Sequence, residues 1–130
     1  MSDDLTQAAV AVRKKAYAPY SRFLVGAAIR SDIGLHAGCN VENAAFPQGS
    51  CAEAGAISVM IAAGGKRIQE VVIAGGGEAP CTPCGGCRQR LREFASPDLV
   101  IRIVGAEGEP RLVRTLAELL PDSFGPDHLV

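Results

Sequence analysis

The sequence has no tryptophan, few other aromatic residues and almost no net charge. Two tyrosines and four phenylalanines are its aromatic side chains, and its formal net charge is −1 at pH 7. A protein that binds a polyanion normally has a basic excess, so we do not expect a nucleic acid polymer as a partner. Arg88, Arg90 and Arg92 form a local exception. On a helix Arg90 would point away from the other two, which favours a solvated surface over a phosphate groove.

The sequence also has no long apolar run. No segment approaches the length of a membrane span. The first residues, Met1–Asp4, are acidic where a secretory signal would be basic and then apolar. We therefore expect a cytoplasmic protein. Its five cysteines are an odd number, and in a reducing compartment they are expected to be thiols or thiolates rather than disulfides.

Length and composition predict one domain. With 130 residues, 48% of them hydrophobic and 21% charged, the chain can bury a core and has the composition of an ordinary globular domain. It has no internal repeat, low-complexity stretch or linker. We therefore expect a single catalytic domain over residues 1–130.

Hydrophobic periodicity and turn residues predict nine elements in the order α-β-β-α-β-α-β-β-α. The expected helices cover residues 4–16, 50–63, 83–94 and 116–120, and the expected strands cover residues 23–30, 35–41, 71–74, 99–104 and 111–114. Asp3 or Asp4 can cap the first helix. This order implies a central five-stranded mixed sheet between helices, a three-layer α-β-α sandwich of the α/β class.

Two short motifs lie where a loop is expected to become a helix. They are Cys51-Ala52-Glu53 and Pro83-Cys84-Gly85-Gly86-Cys87. A helix N-terminus offers unpaired N–H groups and the positive end of its dipole, which together lower the pKa of a thiol. Three thiolates can hold Zn²⁺ and leave one coordination position open, as catalytic zinc sites do. Cys51, Cys84 and Cys87 are therefore the predicted zinc ligands.

Glu53 supplies a carboxylate beside this predicted site, two residues after Cys51. We expect it to act as a general base and then as an acid, taking a proton from water and delivering it to the substrate. Cys-x-Glu followed by Pro-Cys-x-x-Cys is the known signature of zinc deaminases. The two motifs together therefore indicate hydrolytic chemistry at a metal.

Each motif alone has a less specific interpretation. Pro-Cys-x-x-Cys also suits a redox pair or half of a four-cysteine structural site, for which Cys81 could supply a further ligand. We do not favour the structural site, because Glu53 would then have no role. Cys39 is expected to be a small buried hydrophobic residue. His36 and His128 lie outside both motifs and are expected to be surface residues rather than ligands.

The sequence resembles the small, homotetrameric cytidine deaminases over nearly its whole length. The resemblance rests on blocks in the order and at the spacing of that family: APYSRF, VGAA, GCNVENAAF, CAE, PCGGCRQ and LLPDSF. It implies zinc-dependent hydrolytic deamination of cytidine or deoxycytidine to uridine or deoxyuridine, with release of ammonia. The family's role in pyrimidine salvage and its homotetramer with shared active sites are implied in the same way.

The resemblance also implies substrate contacts. Asn40 and Glu42 would hold the ribose hydroxyls, with which an amide and a carboxylate can form hydrogen bonds. Phe23 would pack on the base. Phe124 would reach the site of a neighbouring subunit.

The chain departs from the family pattern directly after its first zinc motif. In the family pattern an arginine usually follows Cys-Ala-Glu, and this chain has Ala54 instead. The resemblance implies that the backbone of Ala52 and the carboxylate of Glu53 form hydrogen bonds with the pyrimidine. Zinc with three thiolates has a formal charge of −1, which that arginine would offset. We expect Arg88, Gln48 or backbone N–H groups to take its place.

Other functions stay as alternatives. A deaminase of a modified cytosine nucleoside or of a blasticidin-type antibiotic also lacks the arginine, but the retained Asn40-Val41-Glu42-Asn43 favours an unmodified ribose. An enzyme that edits polynucleotides would need a basic surface. The alternative from another class is a zinc-stabilised binding module without catalysis, which would release no ammonia from cytidine.

Overall fold

The computed structural model describes residues 3–129, and these residues form four α-helices and five strands, together with two short 3-10 helices. The helices are α1 (Asp4–Arg13), α2 (Ala52–Ala62), α3 (Gly85–Phe94) and α4 (Leu116–Leu119), and the strands are β1 (Val25–Ser31), β2 (Leu35–Cys39), β3 (Ile68–Gly75), β4 (Val100–Val104) and β5 (Pro110–Thr115). The predicted order of elements is confirmed. Within this part of the chain, every helix is too short or too polar to cross a bilayer.

The five strands form one mixed sheet in the order β2-β1-β3-β4-β5. β3 and β4 are parallel, whereas the other neighbouring pairs are antiparallel. A parallel pair needs a crossover connection, and α3 provides it. The predicted five-stranded mixed sheet is confirmed.

Helices cover both faces of the sheet, because successive strand residues point to opposite sides. On one face Ala27, Ile73 and Ile103 pack with residues of α2 and α3. On the other face Ala28 and Val72 pack with residues of α1. All five of these strand side chains are buried. The structure is therefore the expected three-layer α-β-α sandwich.

α1 ends three residues earlier than predicted because long-range pairing competes with the helix. The N–H of Tyr17 donates to the carbonyl of Asn40, and the carbonyl of Tyr17 accepts from the N–H of Glu42. Tyr17 and Val41 thus form an isolated bridge that holds this segment in an extended conformation. Such a pairing is not visible in the local periodicity of the sequence.

The expected surface position of His36 is wrong. Its side chain is buried, and its Nε2 lies 2.7 Å from Oγ of Ser31. His36 is the second residue of β2, on the side of the strand that alternates inward with Gly38. Cys39 is partly buried, and His128 is exposed as expected.

Two of the three arginines of α3, Arg88 and Arg92, hold the C-terminal segment rather than forming a solvated surface. Arg88 donates to the carbonyl of Leu119 at 2.7 Å. Arg92 donates to Oγ of Ser123 at 2.9 Å and pairs with Asp127 at 3.0 Å. Arg88 and Arg92 are both partly buried. The expectation for these two side chains is therefore corrected.

Gly38 lets β2 lie directly against the backbone of α2, the helix that begins with the first zinc motif. A Cβ at position 38 would lie 2.3 Å from the nitrogen of Ala56 and 2.9 Å from the carbonyl oxygen of Ala52. Backbone atoms cannot yield as a flexible side chain can. Gly55, on α2 at the same contact, has room for a Cβ, since its nearest neighbour would be 3.5 Å away.

We predict that Gly38→Ala destabilises the protein by about 1–3 kcal/mol, because the added methyl group must push α2 away from the sheet. Gly55→Ala adds the same methyl group within a helix at ordinary van der Waals distance from β2, and is expected to leave stability unchanged or raised by up to about 1 kcal/mol. Urea unfolding of both variants measures the difference. Equal stability of the two variants would contradict the close-packing argument.

Asp3 joins the start of α1 to the sheet. Its Oδ1 accepts the N–H of Thr6 at 2.7 Å, as an N-cap, and its Oδ2 lies 2.9 Å from Nη1 of Arg102 on β4. The hydrogen bond from Arg102 and that from Thr6 lower the pKa of Asp3 to about 2. The charged form of Asp3 therefore stabilises the fold.

We predict that this stabilisation is present above about pH 4 and is lost as the pH falls towards 2, because the folded-state pKa is below the unfolded value of about 3.9. Asp3→Asn keeps a capping group and removes the charge, so it should cost about 1 kcal/mol at neutral pH, given the partial exposure of the pair. Unfolding measured between pH 2 and 7 should show wild type and variant converging in acid. A constant difference would contradict the assignment.

Candidate metal and catalytic site

Two backbone bridges bring the start of α2 next to the end of β2. Val41 pairs with Tyr17 on one side and with Ser50 on the other. The N–H and carbonyl of Val41 each bond to Ser50, at 2.9 and 2.8 Å. Cys51 follows immediately as the N-cap of α2. The chain therefore places Cys51 beside the loop that contains Asn40 and Glu42.

The start of α3 reaches the same place from the carboxyl end of β3. The loop after Gly75 runs through Cys81 and Pro83 to Cys84, which is the N-cap of α3. Cys87 is buried in the first turn of that helix. Ligand sites in open α/β sheets lie outside the carboxyl ends of the strands, and this site does too.

Three sulfur atoms meet where the two helices begin. The Sγ atoms of Cys51, Cys84 and Cys87 all lie within 4.8 Å of one another. Sulfurs that share a tetrahedral zinc at a bond length of about 2.3 Å stand about 3.8 Å apart, so the cluster needs only a small contraction around a metal. Cys81 is not part of this cluster. The predicted ligand set is the one that the structure brings together.

The electrostatics of the cluster favour a bound cation. The backbone N–H groups of Cys87 and Gly86 lower the pKa of Cys84. Burial raises the pKa of Cys51 and that of Cys87. Several neighbouring anions in a partly buried site repel one another, and a divalent cation removes that penalty. The donor set therefore fits zinc, for which thiolates are common ligands.

Glu53 lies buried beside the sulfurs. It stands in the first turn of α2, and only 5% of it is exposed. Burial raises the pKa of its carboxyl group, while the thiol of Cys87 and the guanidinium of Arg90 act in the opposite direction. Ala52, its neighbour, is buried as well. A carboxyl group in this position can hold or release a proton next to the cluster.

Asn40 and Glu42 are fixed by the segment that precedes β1. Oδ1 of Asn40 accepts the N–H of Val25 at 2.8 Å, and its Nδ2 donates to the carbonyl of Phe23 at 2.9 Å. Glu42 accepts hydrogen bonds from the N–H groups of Tyr20 and Ser21 and from the hydroxyl of Ser21. The Ser21 hydroxyl is the largest cause of the lowered pKa of Glu42.

The structure separates the two aromatic residues that were predicted to contact substrate. The ring of Phe23 reaches Gly75, where a Cβ would lie 3.7 Å from its Cζ and closer still to Cys81. Phe23 therefore lies at the carboxyl end of β3, where the loop that leads to Cys84 begins. Phe124 lies on the C-terminal segment, where its ring stacks on His128 with centroids 5.0 Å apart, and it is 55% exposed.

An open cleft adjoins the site at Glu42 but does not contain the sulfurs. It has a volume of about 410 Å³ and is lined by Tyr20, Ser21, Glu42, Asn43, Phe46 and Gly49. Tyr20 and Phe46 meet edge to face across it, with centroids 6.1 Å apart. Phe46 is 76% exposed. This apolar surface is available for a ligand or another chain.

Arg90 contacts a cluster sulfur, and Arg88 does not. Nη1 of Arg90 lies 3.7 Å from Sγ of Cys87, whereas Arg88 donates to the carbonyl of Pro83 as well as to that of Leu119. Gln48 is exposed, and its side chain forms no hydrogen bond within residues 3–129. The expectation for Arg88 is thus corrected. The spacing of three residues between Cys87 and Arg90 on a helix could have indicated this contact.

A three-layer α/β domain with three converging cysteines and a buried glutamate defines a class, the zinc-dependent deaminases. Residues 1–103 match the family model described as the cytidine and deoxycytidylate deaminase zinc-binding region. The chain belongs to this family.

Similar proteins agree over most of the chain. A cytidine deaminase of Sporosarcina psychrophila is 35% identical over 118 residues, covering 90% of this chain and 86% of the relative. One of Mycobacterium tuberculosis is 41% identical over 115 residues, covering 88% and 82%. The crystal structure of cytidine deaminase from Burkholderia pseudomallei superposes with a TM-score of 0.84 at 41% identity, covering 92% of this chain and 96% of that one.

Proposed function

We propose that the protein catalyses the hydrolytic deamination of cytidine and deoxycytidine to uridine and deoxyuridine. The observation that carries this proposal is a buried glutamate beside three sulfurs at two helix N-termini. In the reaction a bond forms between C4 of the base and a water oxygen, and the bond from C4 to the amino nitrogen breaks. Ammonia leaves as the second product.

Cys51, Cys84 and Cys87 would hold the zinc. When bound, zinc supplies Lewis acidity that makes a water molecule nucleophilic near neutral pH. Glu53 would take one proton from water and deliver it to N3 of the base, and would then take the remaining proton from the hydroxyl group newly bonded to C4 and pass it to the leaving amino group. Its burial supports this role, because a carboxyl group shielded from solvent exchanges protons with the substrate rather than with bulk water.

Asn40 and Glu42 would bind the ribose hydroxyls. Their existing hydrogen bonds hold both side chains in place, and an amide and a carboxylate retain capacity for further bonds to a diol. Phe23, beside the carboxyl end of β3, would pack on the base. The backbone of Ala52 would contact the pyrimidine together with Glu53. A substrate held at both ends in this way has its reactive carbon at the sulfur cluster.

The proposed substrate is a free nucleoside, consistent with a net charge of −1. A pathway that recovers pyrimidines in the cytoplasm would use this reaction. The alternative substrate is a modified cytosine nucleoside. The feature that supports this alternative is Ala54, which stands where most of the family has an arginine. We propose one catalytic domain over residues 1–130, from which Phe124 would reach the site of a neighbouring subunit.

We predict release of ammonia and loss of the cytosine absorbance when the zinc-loaded protein is mixed with cytidine or deoxycytidine. Glu53→Gln should keep one zinc per chain and lose at least about 10³-fold in kcat, because proton transfer is removed while the ligands remain. The assay is ultraviolet absorbance across a panel of cytosine nucleosides, including blasticidin-type compounds, with and without chelator. Near-normal turnover by Glu53→Gln would disprove its role, and zinc binding without any ammonia release would support the binding-module alternative.

A homotetramer is proposed for the assembly. Glu53 is the one charged residue of α2, and on the outer side of that helix Val59 is 46% and Ile61 40% exposed. A helix that is apolar on all sides is normally buried. Phe46 in the open cleft is a further exposed apolar residue. Contact between chains would cover these surfaces and bring Phe124 to a neighbouring site.

We predict a mass of four 13.5 kDa chains by light scattering after size exclusion. Ile61→Lys should dissociate the assembly, because it places a charge in an apolar contact. Lys66→Glu, an exposed charge change after α2, should not alter the mass and serves as the control. A monomer at micromolar concentration would contradict the proposed tetramer.

A further inference from the structure

We infer that Arg90 is the positioning residue that neutralises the zinc–thiolate cluster, in place of a cation on α2. This inference rests on the proposed metal site. The side chain of Arg90 contacts an atom of a predicted zinc ligand. It is not assigned a contact with the substrate or with the reacting atoms. Its basis is the contact between Nη1 of Arg90 and Sγ of Cys87, 3.7 Å apart.

The charge balance of the site requires a nearby cation. Binding of Zn²⁺ by three thiols releases three protons and leaves a formal charge of −1, and Glu53 adds a second negative charge when ionised. Cys87 and Glu53 are both buried. Negative charge in such a site is stabilised by an opposite charge within about 4–6 Å. Position 54, next to Glu53, holds an alanine and cannot provide one.

Arg90 is placed to provide this charge, and the neighbouring arginines are not. Arg88 uses its guanidinium on the carbonyls of Pro83 and Leu119. Arg13 donates to the carbonyl of Leu24, and its charge lies near Cys81, which is outside the cluster and whose pKa burial raises to about 11 against the opposing effect of Arg13. Within residues 3–129, Arg90 is the arginine whose contact is a cluster sulfur.

Glycine at position 86 keeps the path of the Arg90 side chain open. A Cβ at this position would lie 3.0 Å from Nη1 of Arg90 and 3.9 Å from Sγ of Cys84. The guanidinium therefore lies beside Gly86 over the first turn of α3, against the sulfur of Cys87. An N–H···S bond there withdraws electron density from the ligand, and the zinc becomes a stronger Lewis acid.

The test is zinc affinity, measured by competition with a chromophoric chelator. Arg90→Gln should bind zinc about 10-fold more weakly than wild type, at the low end of the range for residues that contact ligands, because Arg90 is exposed to solvent. In Co²⁺-substituted protein, the charge-transfer absorption from thiolate to cobalt should move to longer wavelength, since an unbonded sulfur is a better electron donor. A merely structural role of Arg90 would not move this absorption.

Arg67→Gln is the matched control. It removes one positive charge from an exposed residue before β3, at the opposite end of that strand from the cluster, and should leave zinc affinity and the cobalt spectrum unchanged. Arg90→Lys keeps the charge but not the planar guanidinium, and we expect an intermediate affinity. The double variant Ala54→Arg, Arg90→Gln should recover most of the lost affinity, because it supplies a cation from α2.

Two outcomes would overturn the inference and leave the proposed metal site in place. If Arg90→Gln matches Arg67→Gln in zinc affinity and in the cobalt spectrum, Arg90 does not act on the cluster, although the metal site itself stands. If the affinity falls but the double variant recovers nothing, the loss reflects the shape of α3 rather than charge. A wild-type protein that binds no zinc would overturn the proposed metal site as well.

Discussion

The site depends on two helices that begin at the same point with a cysteine as N-cap. Helix N-caps are usually Ser, Thr, Asp or Asn, whose side chains bond to a free N–H, and loss of such a cap costs about 1 kcal/mol. α1 and α4 have these caps, from Asp3 and Thr115. α2 and α3 begin at Cys51 and Cys84 without one. A sulfur takes the place of an oxygen cap where the helix start presents a metal ligand.

This convergence needs close packing behind it. Gly38 places β2 against α2, and Gly26 places β1 as closely against α1, where a Cβ would lie 2.3 Å from the carbonyl oxygen of Ala9. The sheet is therefore held tightly between its two helical layers. The pairing of Val41 with Tyr17 and Ser50 then sets the distance from β2 to Cys51. A shift in any of these contacts would move one sulfur relative to the other two.

Local pattern was sufficient to predict the order of elements, the five-stranded sheet and the cysteine cluster, because each depends on periodicity or on residue types at short spacing. It was insufficient where a distant partner decides the structure. The early end of α1 comes from the bridge between Tyr17 and Val41, and the buried ring of His36 has its hydrogen-bond partner, Ser31, on the neighbouring strand. The contact of Arg90 with Cys87 was predictable from helical spacing, but the surrounding arginines suggested a solvated surface instead.

The location of the neutralising cation changes how the site is built. A cation at position 54 would stand on α2, and its distance from Cys84 and Cys87 would depend on how two helices pack. Arg90 stands on α3, the helix that provides both of those ligands, so the turn of one helix sets its distance from Cys87. The guanidinium is exposed, so salt screens it more than a buried group. The position of the cation is therefore set locally, but its neutralisation of the negative charge is weaker. The N–H groups at the start of α3 lower the pKa of Cys84 and stabilise the remaining negative charge.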